Sequence, residues 1–225
     1  MSMLMRDKPA NQYLSSSGEF LPGVTTVLSE LNKPAVIGWA NKMGRLGRSI
    51  DEGKEYARDV GNLAHYLVEC HIKCEKPEFE DTFGTRAINR ANVMLAEFIS
   101  YAKERGATFV ASETQLVDTS DQFGGTIDII ADCSSPTPSR ELWDIKTSSE
   151  IWSEQIVQVC AYQILWHQHH QEIVRPRIIL IPKSGELRAP DLPDDVIFLA
   201  NKLWFYVLPM YYARKELNEI WRNTF

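Results

Sequence analysis

The residues best suited to chemistry lie in two short apolar segments near the middle of the chain. The first is Trp143-Asp144-Ile145-Lys146-Thr147-Ser148. Side chains in a strand alternate between faces, so Asp144 and Lys146 share one face, their Cα atoms roughly 6.5 Å apart, while Trp143 and Ile145 share the other. A carboxylate beside an ammonium can hold a cation and stabilise negative charge. Taken alone, the pair is equally an ordinary ion pair worth about 0–1 kcal/mol. The second segment, Gly124-Gly125-Thr126-Ile127-Asp128-Ile129-Ile130, sets one acid in an apolar strand. Alternation puts Asp128 with Ile130, and Ile127 with Ile129. An acid in a buried strand needs a partner, such as a cation or a metal. If the two strands pair, both carboxylates converge on one ion. Mg²⁺ takes one or two carboxylates and keeps waters; such an ion polarises a phosphoryl oxygen and generates hydroxide near neutral pH.

Two helical segments add candidates. In Gly61-Asn62-Leu63-Ala64-His65-Tyr66-Leu67-Val68-Glu69, His65 and Glu69 are four residues apart and share a face. His65 offers an imidazole to a metal and Glu69 an acid to orient it; the competing reading is a hydrogen-bonded core histidine. Gln158-Val159-Cys160-Ala161-Tyr162 has the same spacing directly after the Asp144 strand. Its Gln and Tyr could hold a phosphate or an attacking water, or only satisfy neighbours.

The elements that position these residues can be read from the rest of the chain. Val24 to Leu31 reads as a helical turn, and Pro34 opens a helix to about Met43. Ser49 and Glu52 form a capping box for a helix to about Lys73. Another helix runs from Arg86 to Arg105, its apolar face made by Ile88, Met94, Leu95, Phe98 and Ala102, and Gly106 ends it. Strands follow at Thr108–Val117, Thr126–Cys133 and Glu141–Lys146. Then come a helix at Ile151–His169, a strand at Arg175–Pro182, and a last helix from Asp194 to Trp221, expected to kink at Pro209. This order predicts one α/β domain, a mixed central sheet flanked by helices. Residues 1–20 are expected to be loosely ordered, 21–60 helical, 61–182 the core, and 183–225 a C-terminal helical part.

Composition bounds the class. A hydrophobic fraction of 44% with 24% charged residues suits a soluble globular chain of 225 residues. No uninterrupted apolar run reaches the roughly 18–20 residues that span a bilayer, and the N-terminus lacks the apolar core of a secretion signal; a cytoplasmic protein without a membrane partner is expected. Cys70, Cys74, Cys133 and Cys160 are too few and scattered for a disulfide scaffold, and make a poor zinc or iron–sulfur site. A net charge of −6 counts against a protein that merely coats nucleic acid. Lys33, Lys42, Arg45 and Arg48 nevertheless form a stripe without an intervening acid, able to follow a phosphate backbone. Trp39 within it is a stacking candidate for a base, or a core residue.

In order, G-x-x-x-H at Gly61–His65, G-x-x-D at Gly125–Asp128, D-x-K-T-S at Asp144–Ser148 and Q-x-x-x-Y at Gln158–Tyr162 resemble the motif series of the RecB-type branch of the PD-(D/E)xK nuclease superfamily. Val24-Thr25-Thr26-Val27-Leu28 and Lys33-Pro34-Ala35 are similar to openings of phage members. The resemblance implies a restriction-endonuclease-like core and a Mg²⁺- or Mn²⁺-dependent DNA exonuclease of phage-type or bacterial recombination and repair. It implies that His65, Asp128, Asp144 and the Ile145 carbonyl bind the metal, that Lys146 positions water and stabilises charge, and that Gln158 and Tyr162 complete the site. Glu113 is a further candidate acid. DNA is the implied partner, with a recombination annealing or single-strand-binding protein as another. The iron–sulfur cysteines of some relatives have no match, so no cluster is expected. A structure-specific endonuclease with the same site and an inactive nucleic-acid-binding module are the alternatives.

Overall fold

The computed structural model describes residues 12–31, 38, 45, 50–79, 82–120 and 122–224, with the side chains of the helix beginning at Ile50 described from residue 53. Of the helix expected over Pro34–Met43 only Gly38 is described, and it is helical; the Ser49 cap lies outside the described residues. A two-residue ribbon, β1 (Tyr13–Leu14) and β2 (Phe20–Leu21), pairs antiparallel where a loose terminus was expected. A short helix α1 (Val24–Val27) leads into a 3₁₀ turn (Leu28–Glu30). The helices α2 (Ile50–Ile72) and α3 (Thr85–Glu104) follow. Helix α3 buries Ala87, Ala91, Met94, Phe98 and Ala102, a stripe of three- and four-residue steps. It ends at Gly106, whose φ of +56° is the left-handed conformation that closes the last turn. The Ala107 amide then bonds back to the Ala102 carbonyl at 2.9 Å.

A four-stranded mixed sheet comes next, in the order β3 (Thr108–Val117), β4 (Gly124–Cys133), β5 (Ser139–Lys146), β6 (Arg175–Leu180). The first two pairings are antiparallel and β6 is parallel to β5, as a strand reached through a crossover helix must be. That helix is α4 (Ser153–His170), and α5 (Asp194–Thr224) closes the chain.

The sheet separates two cores. On one face, Trp143, Ile145 and Ile129 pack with Leu63, Met94 and Phe98 of α2 and α3. On the other, Leu142, Ile130 and Ile178 pack with Leu165 of α4 and Trp204 of α5. Trp143 and Ile145 therefore share a face, as the alternation in β5 requires. In β4 the expectation fails: Ile127 packs in the second core and Ile129 in the first. Alternation breaks at Asp128. The reason lies across the ladder, where Glu113, between the pairs Ser112–Ile129 and Thr114–Ile127, has a φ of +49°. A left-handed residue turns the strand over locally and carries its partner with it.

Three of the four cysteines are buried thiols and Cys74 is exposed. Although no uninterrupted apolar run was found, α5 is long and apolar enough by length and composition to cross a bilayer. Its Ala200, Trp204, Val207 and Leu208 nonetheless belong to the second core.

Candidate metal centre

Three elements deliver three ligand residues to one place. The break in β4 presents Asp128, the left-handed turn in β3 presents Glu113, and α2 lays His65 across them. One candidate ligand atom from each lies within 4.8 Å of the others, and all three residues are half-buried. His65 Nδ1 is 3.5 Å from Asp128 Oδ2. All three line a pocket of about 310 Å³ together with Tyr162. A non-glycine residue held at positive φ costs on the order of 1–3 kcal/mol and persists where surroundings impose it, most often at functional sites. Here the strain in β3 aims a carboxylate into the pocket.

Asp144 stands behind this trio. It is 1% exposed, and its Oδ1 has no hydrogen-bond partner among the described residues. Lys146 Nζ forms an ion pair with Oδ2 at 2.6 Å. Burial pushes the Asp144 carboxyl up to about 6; the Lys146 ammonium works against that rise, and the nearby Asp128 charge adds to it. Asp128 is held differently: its Oδ2 accepts the Ile145 amide at 2.7 Å, so a side chain takes the place of the next rung of the β4–β5 ladder.

Glycines let the remaining walls close in. A Cβ on Gly125 would sit 2.7 Å from Tyr162 Cε1 and 2.8 Å from Leu165 Cδ1, so only glycine allows α4 this close to β4. Tyr162 is thereby brought to the pocket, its hydroxyl accepting a 2.8 Å bond from Gln158 Nε2. Tyr13 of the N-terminal ribbon lies over Gly124 and Gly23, and its hydroxyl is 2.9 Å from Thr126 Oγ1. Thr25 and Thr26 at the start of α1 add further hydroxyls to the lining.

A buried carboxylate with one oxygen lacking a partner, next to an imidazole and two acids that open on a pocket, fits a divalent cation.

No protein-family model matches the chain, and no curated protein does. Among solved structures it is similar to the "Putative exonuclease" of Eubacterium rectale. That likeness has 14% identity and a TM-score of 0.45, over 69% of this chain and 65% of that one. The chain therefore matches somewhat less than two thirds of that protein's length. It is also similar to the protein SSO0001, with 13% identity and a TM-score of 0.28, over 66% and 74% of the two chains. Both likenesses are too low to bear on function.

Of the residues singled out in the sequence, the fold brings together His65, Asp128, Asp144, Lys146, Gln158 and Tyr162. It redistributes their parts. The trio with close ligand atoms contains Glu113 rather than Asp144, because Asp144 turns inward to Lys146. Ile145 meets the site through its amide. Glu69 pairs with Lys73 Nζ, 2.5 Å away one turn further on, and no Glu69–His65 hydrogen bond or ion pair occurs among the described residues. Of the basic stripe, Arg45 is an exposed helical residue, and Lys33, Trp39, Lys42 and Arg48 lie outside the described residues. The sequence reading missed Tyr13 and Thr126. The paired Gly124 and Gly125 were the available signal, since adjacent glycines in a strand mark a close approach.

Proposed function

We propose that this chain is a metal-dependent nuclease that hydrolyses the phosphodiester backbone of DNA. The observation that carries this reading is the buried Asp144, its Oδ1 without a partner among the described residues and its Oδ2 paired with Lys146, behind the His65–Glu113–Asp128 trio. His65, Glu113 and Asp128 would hold the cation, with Asp144 as the further charge beside them. When bound, the cation supplies Lewis-acid polarisation of a phosphoryl oxygen and neutralises its charge. The chain's own groups do the rest. Lys146 is fixed 2.6 Å from Asp144 Oδ2, so its ammonium can meet the negative charge that develops on the phosphate. Asp128, fixed by the Ile145 amide, holds its carboxylate where the pocket opens, ready to bind or to accept a proton from water. Gln158 locks the Tyr162 hydroxyl, which burial keeps protonated, as a donor at the pocket wall. Tyr13 and Thr126 bound the space a substrate strand can enter.

The finer reading, an exonuclease of recombination or repair, is supported by the order of the four motifs in the sequence. End-labelled linear DNA is incubated with wild type and with Lys146→Ala, in Mn²⁺, in Mg²⁺ and in chelator, beside circular single-stranded DNA. Metal-dependent loss of linear DNA, reduced at least 100-fold in the variant, is the expected result, with the circle spared. Cutting of the circle would replace the exonuclease by an endonuclease. Intact DNA of every form, bound equally with and without metal, would leave a binding module and end the catalytic reading.

A further inference from the structure

Eight of the fourteen exposed large apolar side chains among the described residues stand on one helix, α5. Leu199, Tyr206, Met210 and Leu217 follow at steps of seven, four and seven, Ile220 comes three further on, and Phe198 and Phe205 run alongside. Their exposure runs from 47% for Met210 to 67% for Phe198. They lie on the side opposite Ala200, Trp204, Val207 and Leu208, which anchor the helix in the second core. Each leaves on the order of 100 Å² uncovered, given the size of such side chains. Seven of them offer on the order of 700 Å². That exceeds the roughly 300–600 Å² of the largest patch on a typical monomer and approaches the about 800 Å² each partner gives to a standard interface.

Two charges interrupt this stripe, Lys202 and Glu216. Both are exposed, they are of opposite sign, and each is seven residues from Pro209. We propose that the outer face of α5 pairs with the same face of a second copy of this chain, the two helices antiparallel and crossing at Pro209. A two-fold axis there sets Lys202 of each copy opposite Glu216 of the other. It also sets Phe198 opposite the partner's Ile220, and Phe205 opposite the partner's small Ala213, so that large meets small. A parallel pair would oppose Lys202 to Lys202 and Glu216 to Glu216, which repel. A bilayer suits the stripe less well, since α5 has its other face locked in a protein core and lipid-surface helices favour a basic polar face.

Sedimentation equilibrium of the full chain, from about 1 to 100 µM to cover the weaker end of standard interfaces, tests this directly. Wild type is expected to dimerise. Lys202→Glu and Glu216→Lys, each alone, are expected to weaken the dimer at least tenfold. Mixing these two variants restores it, because the copies then carry complementary charges at both contacts. Met210→Lys, on an exposed position, abolishes dimerisation with the circular dichroism of wild type. A monomer throughout the range overturns the proposal, as does a dimer indifferent to all three substitutions. Wild type that stays monomeric but pellets with phosphatidylglycerol vesicles would assign the face to lipid instead.

Discussion

Asp144 and Glu113 each spend stability on the site, in different currencies. Asp144 is an acid that folding prefers neutral, its carboxyl pushed up by burial to about 6 against an ordinary 3.8. Between those values the folded chain holds a proton that the unfolded chain has released. Stability of the metal-free protein therefore falls as pH rises through about 4 to 6 and stays lower above that. Asp144→Asn is expected to raise the metal-free Tm at pH 7 to 8, and to remove most of the further rise that Mn²⁺ gives wild type. A wild-type Tm equally insensitive to Mn²⁺ at pH 5 and at pH 8 would contradict this account. Glu113 is strained in its backbone instead. Glu113→Gly is expected to gain about 1 kcal/mol in urea unfolding, because glycine accepts the +49° φ freely, while weakening Mn²⁺ binding in calorimetry. A destabilised variant would show that the carboxylate's own contacts outweigh the strain.

At the level of elements, what matters is how closely helices approach strands. Gly125 sets the α4–β4 distance, and a methyl group there meets the Tyr162 ring and Leu165. Gly125→Ala is expected to cost about 1–3 kcal/mol and to displace Tyr162 from the pocket. Nuclease activity should fall more steeply than the Tm, which a thermal melt beside the DNA assay will read. Most element boundaries were legible because hydrophobic period and turn residues are local signals: α2, α3 and β3–β6 fall within a few residues of where Ser49, Gly106, Gly124 and the β-branched runs place them. The flip at Asp128 was not legible. It depends on the backbone of Glu113 one strand away, and no pattern within β4 encodes its neighbour's φ. Glu69 was misread for a related reason. The (i, i+4) rule points forward as well as back, and Lys73 was the better partner.

For the molecule as a whole, β5 couples the site to the far end of the sheet. Two residues before Trp143, Glu141 is buried between Arg177 and Arg105, and accepts 2.7 Å bonds from Arg177 Nε and Trp143 Nε1. Burial alone would raise its carboxyl; the Arg177 and Trp143 hydrogen bonds outweigh that and hold it below the ordinary 4.5. This acid therefore contributes stability above about pH 4.5 that is lost as pH falls further, the opposite sign from Asp144. Glu141→Gln is expected to cost about 3–5 kcal/mol at neutral pH, since it takes the buried counter-charge from Arg105 and leaves Arg177 with the exposed Asp191. Acid unfolding followed by near-UV circular dichroism should lose part of its steepness below pH 4.5 in the same variant. An unchanged acid limb would move that stability elsewhere.

The break in β4 has a mechanical side. Ile127 is held by one core and Ile129 by the other, so the peptide between them runs like a string tied to two posts, with the Asp128 carboxylate at its midpoint. Loosening either post slackens the string toward the opposite side. Trimming Ile127 to alanine and trimming Ile129 to alanine should thus tilt the same carboxylate in opposite directions, and neither hydrophobic half of the molecule can be repacked without retuning the site.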